Sequence, residues 1–154
     1  MPLTVRRATP ADVPAIVEYN LRLARETEAK ELEPDVVRAG VAAAVADPER
    51  KGPYFLACAG DVVVGQMQIT YEWSDWRNGW YWWIQSVYVR ADRRGAGVFG
   101  TLYRHVRESA LAAGNVVGLR LYVERENLAA QATYGKLGME VAPYYLMQEW
   151  PLGK

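Results

Sequence analysis

The chain has 154 residues, 51% of them hydrophobic and 23% charged, with eighteen basic side chains balanced by eighteen acidic ones. That composition excludes disorder, gives no net field to draw the chain onto nucleic acid or an anionic membrane, and fits a single domain over residues 1–154. One cysteine and one histidine, Cys58 and His105, exclude an internal disulfide and a usual zinc site, so no metal is expected.

The setting of Cys58, Phe55-Leu56-Ala57-Cys58-Ala59, predicts a buried thiol in a reducing compartment. Apolar runs are too short to span a membrane, and Met1 to Arg7 lacks the apolar stretch of a signal peptide. The expectation is a cytoplasmic protein with no membrane or nucleic-acid partner.

Thr4 to Ala8 reads as a short strand. Thr9-Pro10-Ala11-Asp12 is a helix start, with a Thr cap, Pro at the first helical position and an acid in the first turn. Val13, Ile16, Val17, Asn20, Leu21 and Ala24 then recur at helical spacing to about Thr27. A second helix begins near Pro34-Asp35 and stops before Asp47-Pro48. The period then changes: Tyr54 to Ala59, a Gly60-Asp61 turn and Val62 to Trp73 predict an antiparallel hairpin. Ser74 to Gly79 has turn chemistry, and Trp80 to Arg90 follows as a strand. Ala96 to Ala113 is the clearest helix, with Phe99, Leu102, Tyr103, Val106, Ala110 and Ala113 on one stripe. Val116 to Val123 predicts a strand, Leu128 to Lys136 a short helix closed by Gly138, and Tyr144 to Trp150 a last strand. The order gives an α/β (α+β) domain: a mixed, mostly antiparallel sheet of six or seven strands, about four helices and a central parallel βαβ unit.

The sharpest local signal is Arg90-Ala91-Asp92-Arg93-Arg94-Gly95-Ala96-Gly97-Val98-Phe99-Gly100. A strand delivers the chain to a basic, glycine-bearing loop that opens the strongest helix. Exposed backbone amides, the helix dipole and missing β-carbons suit such a loop to a phosphate. Gly95-x-Gly97-x-x-Gly100 also satisfies the dinucleotide fingerprint, with Glu124 closing the next strand where a ribose-binding acid would stand. Against that reading, several residues separate strand from first glycine, and only about thirty remain after the second strand. The paired arginines also suit a ligand richer in phosphate charge.

These residues resemble the GCN5-related N-acetyltransferase (GNAT) superfamily. Arg94-Gly95-Ala96-Gly97 is similar to its pyrophosphate-binding loop, and Gln85-Ser86-Val87-Tyr88-Val89 to the strand whose edge pairs with the pantetheine arm. Asn127-Leu128-Ala129-Ala130-Gln131-Ala132-Thr133-Tyr134-Gly135-Lys136-Leu137-Gly138-Met139 resembles its second motif, in which a Tyr lies near the CoA sulfur. The opening Val5 to Asp12 fits as well, so the resemblance covers essentially the whole chain. Two departures stand out: Phe99 occupies the loop's final Gly/Ala place, with Gly100 one later, and Gln85 stands where many relatives carry a glutamate base.

The resemblance implies an acetyl-CoA-dependent N-acetyltransferase acting on a small or amino-acid-like primary amine. It assigns cofactor binding to Val87, Tyr88, Val89, Arg94, Gly95, Ala96, Gly97, Val98, Phe99, Gly100, Asn127 and Tyr134. Tyr134 would also donate to the departing thiolate. An alkylammonium with a pKa of about 10.4 must lose a proton before attack. Candidate carboxylates are Glu72, Glu26, Glu28 and Glu124, while Gln85 can orient water but accept no proton. Glu72 and Gln85 join Tyr134 as catalytic candidates. Glu26, Glu28, Trp73 and Trp76 are the expected acceptor contacts, because Glu26 to Pro34 and Trp73 to Gly79 flank that site. His105 lies off its helix's apolar stripe and reads as a surface or packing residue. Five of six tryptophans fall between Trp73 and Trp83; they predict core and homodimer contacts ahead of an aromatic pocket. An acyl-CoA sensor without turnover is the second reading, motivated by Gln85.

Overall fold

The computed structural model describes residues 2–153. The chain divides into two compact units, one ending at Tyr122 and the other beginning at Val123.

The first unit contains β1 (Leu3–Arg7), α1 (Val13–Glu28), α2 (Pro34–Ala46), α3 (Pro48–Lys51), β2 (Tyr54–Ala59), β3 (Val62–Ser74), β4 (Gly79–Val89), α4 (Val98–Ala113) and β5 (Val116–Leu121). The turn before α1 is built by its acid. Asp12 is buried and accepts bidentate hydrogen bonds from the Arg6 guanidinium at 2.8 and 2.9 Å and another from the Thr9 amide at 2.7 Å. The Arg6 bonds, with the Thr9 bonds behind them, hold the carboxyl down at about 2. The Thr-Pro-Ala-Asp signal therefore anchors the helix to the first strand.

The strands lie in chain order, β1-β2-β3-β4-β5. The first three pairings are antiparallel; β4 and β5 are parallel, joined by α4 as the expected βαβ unit. On one face Ile16, Val17, Val41 and Ala44 pack against Tyr54, Leu56 and Cys58. On the other, α4 lies so near the sheet that a β-carbon on Gly65 would sit 2.6 Å from Val98. His105 belongs to that packing, its ring 5.3 Å from Phe55. No described helix is long and apolar enough to cross a membrane.

The second unit has one helix, α5 (Leu128–Lys136), and no strand among its described residues. This corrects two expectations. The sheet has five strands rather than six or seven, and Tyr144 to Trp150 forms none. The alternation of that segment is strand-like, but a strand exists only with a ladder partner, and none is present for it among the described residues. Smaller differences follow local chemistry: α4 starts at Val98 because Gly95 and Gly97 take positive φ, and the short α3 arises from the Pro48 start. The expected strand to Val123 stops at Leu121.

Candidate active site

β4 is the spine of the site, and its two halves are paired differently. From Trp80 to Ile84 it has β3 on one side and β5 on the other. Beyond Ile84 the β5 ladder ends, and among the described residues Gln85, Tyr88 and Val89 pair with β3 alone. A bulge marks the change: Gln66 pairs with Tyr88 and Gln68 with Gln85, leaving two β4 residues opposite Met67. Ser86, in the bulge, takes φ +50°, a conformation costly for a residue with a side chain.

A buried network holds the bulge. Gln66 is fully buried on β3; its amide nitrogen donates to the Ser86 carbonyl at 3.0 Å and to Asn20 Oδ1 at 2.7 Å. Asn20 in turn donates to the Tyr54 hydroxyl at 3.3 Å. Sequence reasoning passed over Asn20, Tyr54 and Gln66. The available signal was a polar Asn20 on the otherwise apolar stripe of α1.

Past β4 the chain turns through Ala91–Arg93 into the glycine loop. Gly95 and Gly97 have φ of +77° and +81°, and a β-carbon on either would meet nothing within 4 Å. The glycines therefore answer to the backbone's shape, and the space beside them is open to a ligand. Gly97, a residue with no side chain to offer as a cap, stands at the N-terminus of α4. The helix dipole and the missing β-carbons of Gly95 and Gly97 form a fitting cradle for a pyrophosphate.

Arg94, the expected phosphate contact, also has partners within the protein. Its guanidinium donates to the Val89 carbonyl at 3.0 Å and to Glu26 at 2.8 Å, and lies 5.4 Å from the centre of the Tyr88 ring. The Tyr88 hydroxyl donates to the other Glu26 oxygen at 2.7 Å. The Tyr88 and Arg94 bonds hold the Glu26 carboxyl below its ordinary range. Glu26 thus ties the end of α1 to the loop, and Arg94 braces the loop from within.

An open cavity of about 460 Å³ lies beside the bulge. Asn20, Tyr54, Gln68 and Ser86 supply its neutral polar groups, Leu23, Leu32, Val37 and Val41 its apolar wall, and Glu28 and Lys30 its charges. Among the described residues Glu28 is the one carboxylate lining it. Burial pushes the Tyr54 hydroxyl up, so it stays protonated. Glu72 sits farther along β3, accepting from Trp83 Nε1 at 2.8 Å and pairing with Arg120 at 3.3 Å. Gln85 donates to Thr70 Oγ1 at 2.5 Å. Trp73 is half exposed, Trp76 is 88% exposed, and neither lines the cavity. Trp73, Trp80 and Trp82 form an edge-on ladder with Tyr71, and Trp83 stacks on Tyr122 at 4.6 Å.

In the second unit, Asn127 caps α5, its Oδ1 accepting from the Ala130 amide at 3.1 Å. Tyr134 is half-buried on that helix, and burial pushes its hydroxyl up, keeping the phenol a donor at neutral pH.

The acetyltransferase (GNAT) family pattern matches residues 16–139. A possible acetyltransferase from Clostridium difficile 630 is 44% identical, with 97% of each chain covered and a TM-score of 0.90. A putative acetyltransferase from Agrobacterium tumefaciens C58 is 26% identical over 94% of this chain and 99% of its own, at a TM-score of 0.75. A probable acetyltransferase, 19% identical over 98% of this chain and 99% of its own, has the same fold at a TM-score of 0.83. No curated protein matches the chain.

Proposed function

Because the chain belongs to the GNAT acetyltransferase family, we propose that it transfers the acetyl group of acetyl-CoA to a primary amine of a small or amino-acid-like acceptor by direct attack. One observation supports this most: the unpaired edge of β4, the open glycine loop and the polar cavity all adjoin the same five residues, Gln85 to Val89.

Acetyl-CoA supplies an activated thioester. The amides around Gly95 to Gly100 would hold its pyrophosphate, and the free edge of Val87 to Val89 would pair with its amide-bearing arm, as a strand edge pairs with any extended backbone. The cavity takes the acceptor. We assign Glu28 to receive the acceptor's ammonium and take the proton it sheds before attack, since Glu28 lines the cavity whereas Glu26 and Glu72 do not; its own ion pair with Lys30, at 3.4 Å, is exposed. On the resemblance of its motif, Tyr134 is assigned as the proton donor to the leaving sulfur.

Calorimetry tests the cofactor. Acetyl-CoA is expected to bind in the micromolar range, about 8 kcal/mol, with affinity falling as salt rises. Equal binding of NADH, or no acetyl-CoA binding, overturns the reading. Tyr134→Phe keeps the ring and removes one hydroxyl. We expect kcat to fall about a hundredfold with KM for acetyl-CoA unchanged, the pattern of an interaction made in the transition state. A variant with wild-type kcat returns Tyr134 to packing. The acyl-CoA sensor remains the second reading, favoured by an amide at Gln85 engaged with Thr70. Steady CoA release with any of a panel of amines excludes it.

A further inference from the structure

Asp12 and Gln66 are the charged or amide side chains buried among the described residues. Asp12 is answered by Arg6 and Thr9, whereas Gln66 is answered at one end only. Its Nε2 uses both hydrogens, on the Ser86 carbonyl and on Asn20 Oδ1, while its Oε1 is buried and accepts from no described group. A buried oxygen without a donor costs stability, and an apolar side chain of similar shape would remove that cost. Val64, Met67 and Ile69, its neighbours on β3, are apolar and as deeply buried. What the amide adds at this place is direction.

That direction is set by donor and acceptor chemistry. A carbonyl only accepts, so Gln66 must turn its nitrogen to Ser86. The second hydrogen on that nitrogen then requires the oxygen of Asn20, whose own nitrogen is left to donate to Tyr54. The peptide joining Ser86 to Val87 is planar and trans, so its N–H points opposite to its C=O. Drawing the Ser86 carbonyl to Gln66 therefore turns the Val87 amide away from Gln66. The bulge permits this: among the described residues neither ladder gives Ser86 or Val87 a residue opposite, and Ser86 takes its φ of +50° there.

We propose that Gln66 is a positioning residue for acetyl transfer: through the Ser86 carbonyl it aims the Val87 amide at the carbonyl oxygen of the acetyl thioester. This rests on the acetyl-transfer reading, in which the edge from Val87 to Val89 receives acetyl-CoA. In the reaction the acceptor nitrogen's lone pair forms the bond to the carbonyl carbon, and the C=O π pair moves onto oxygen. An amide fixed in advance stabilises that charge without reorganising. When the pair returns, the C–S bond breaks and the sulfur keeps its electrons. Of the two protons the ammonium sheds, one goes to Glu28 and the other to the sulfur. Gln66 touches none of these atoms; its loss misdirects the amide that does.

The test compares the full wild-type chain with Gln66→Met, which keeps about the same volume and donates nothing. Thiol release from acetyl-CoA is followed with the amine of a panel that wild type turns over fastest. kcat should fall about ten- to a hundredfold while KM for acetyl-CoA stays within about twofold. NMR gives a reading that needs no turnover. In wild type the Val87 amide shift should differ between bound acetyl-CoA and bound CoA, and in Gln66→Met that difference should disappear. Should Gln66→Met fail to fold, Asn20→Leu, at the wall of the cavity, removes the acceptor that fixes the Gln66 amide and is held to the same readings. A folded variant with wild-type kcat, or a KM that rises in step with the loss, overturns the inference and leaves acetyl transfer standing. So does a Val87 amide that fails to distinguish acetyl-CoA from CoA in wild type, or still distinguishes them in the variant. A wild type that turns over no amine overturns both.

Discussion

The two ends of α4 use the same backbone device for different ends. Gly97 before the helix and Gly114 after it have φ of +81° and +79°, and a β-carbon on either would meet nothing within 4 Å. By sterics alone they are equivalent. They differ in what surrounds them. At Gly114 the chain goes directly into the sheet, where the Asn115 carbonyl accepts from the Trp80 amide at 2.9 Å. At Gly97 the helix opens beside an exposed loop and the stretch of β4 past the end of the β5 ladder. One glycine lets a helix stop; the other lets a ligand approach.

Substitutions can break this comparison. The largest effect is expected for Gly97→Val, where left-handed strain of about 1–2 kcal/mol joins a loss of at least tenfold in acetyl-CoA affinity, about 1.4 kcal/mol. Thermal melts and calorimetry separate the two parts. Gly114→Val should show the same strain in its melt and an unchanged Kd; an equal loss of affinity there would mean that both effects are simply those of a disturbed helix.

Arg94→Ala sharpens the comparison at the loop. As a brace on Val89 and Glu26, Arg94 should lose only about threefold in affinity when removed, with the salt dependence of binding unaltered. A tenfold loss with a shallower salt dependence would make it a phosphate contact. The smallest effect is in pH. The bonds to Tyr88 and Arg94 lower the folded-state pKa of Glu26, so its contribution is present above the ordinary carboxylate range and disappears as pH falls through the folded value. The difference in Tm between wild type and Glu26→Gln should therefore hold constant at neutral pH and close in acid. A difference that instead grew on acidification would exclude the brace.

The parts of the fold legible in sequence were those with local causes. The Thr9-Pro10-Ala11-Asp12 start, the Gly60-Asp61 turn and the stripe of α4 each act within a few residues, and each appears where expected. The glycine loop was legible for the same reason. What stayed hidden depends on partners far along the chain. The bond between Arg94 and Glu26 could not be read, because the two lie 68 positions apart. Gln66 and Asn20 are ordinary polar residues until the fold brings both to the Ser86 bulge. The strand at Tyr144 to Trp150 was over-read because alternation specifies a face and cannot specify a partner.

The order of the sheet has a kinetic consequence. Strands β2, β3 and β4 follow one another through tight turns, so their ladders close over short loops. β1 must wait across α1, α2 and α3, and β5 across α4. Loop closure of that length slows a pairing, and a strand held by one ladder opens below the global unfolding free energy. Amide exchange should then be slowest in β3 and faster in β1 and β5. Opening of β5 lengthens the stretch of β4 that lacks a ladder on that side, so the gap beside Gln85 to Val89 can breathe while the middle of the sheet stays shut.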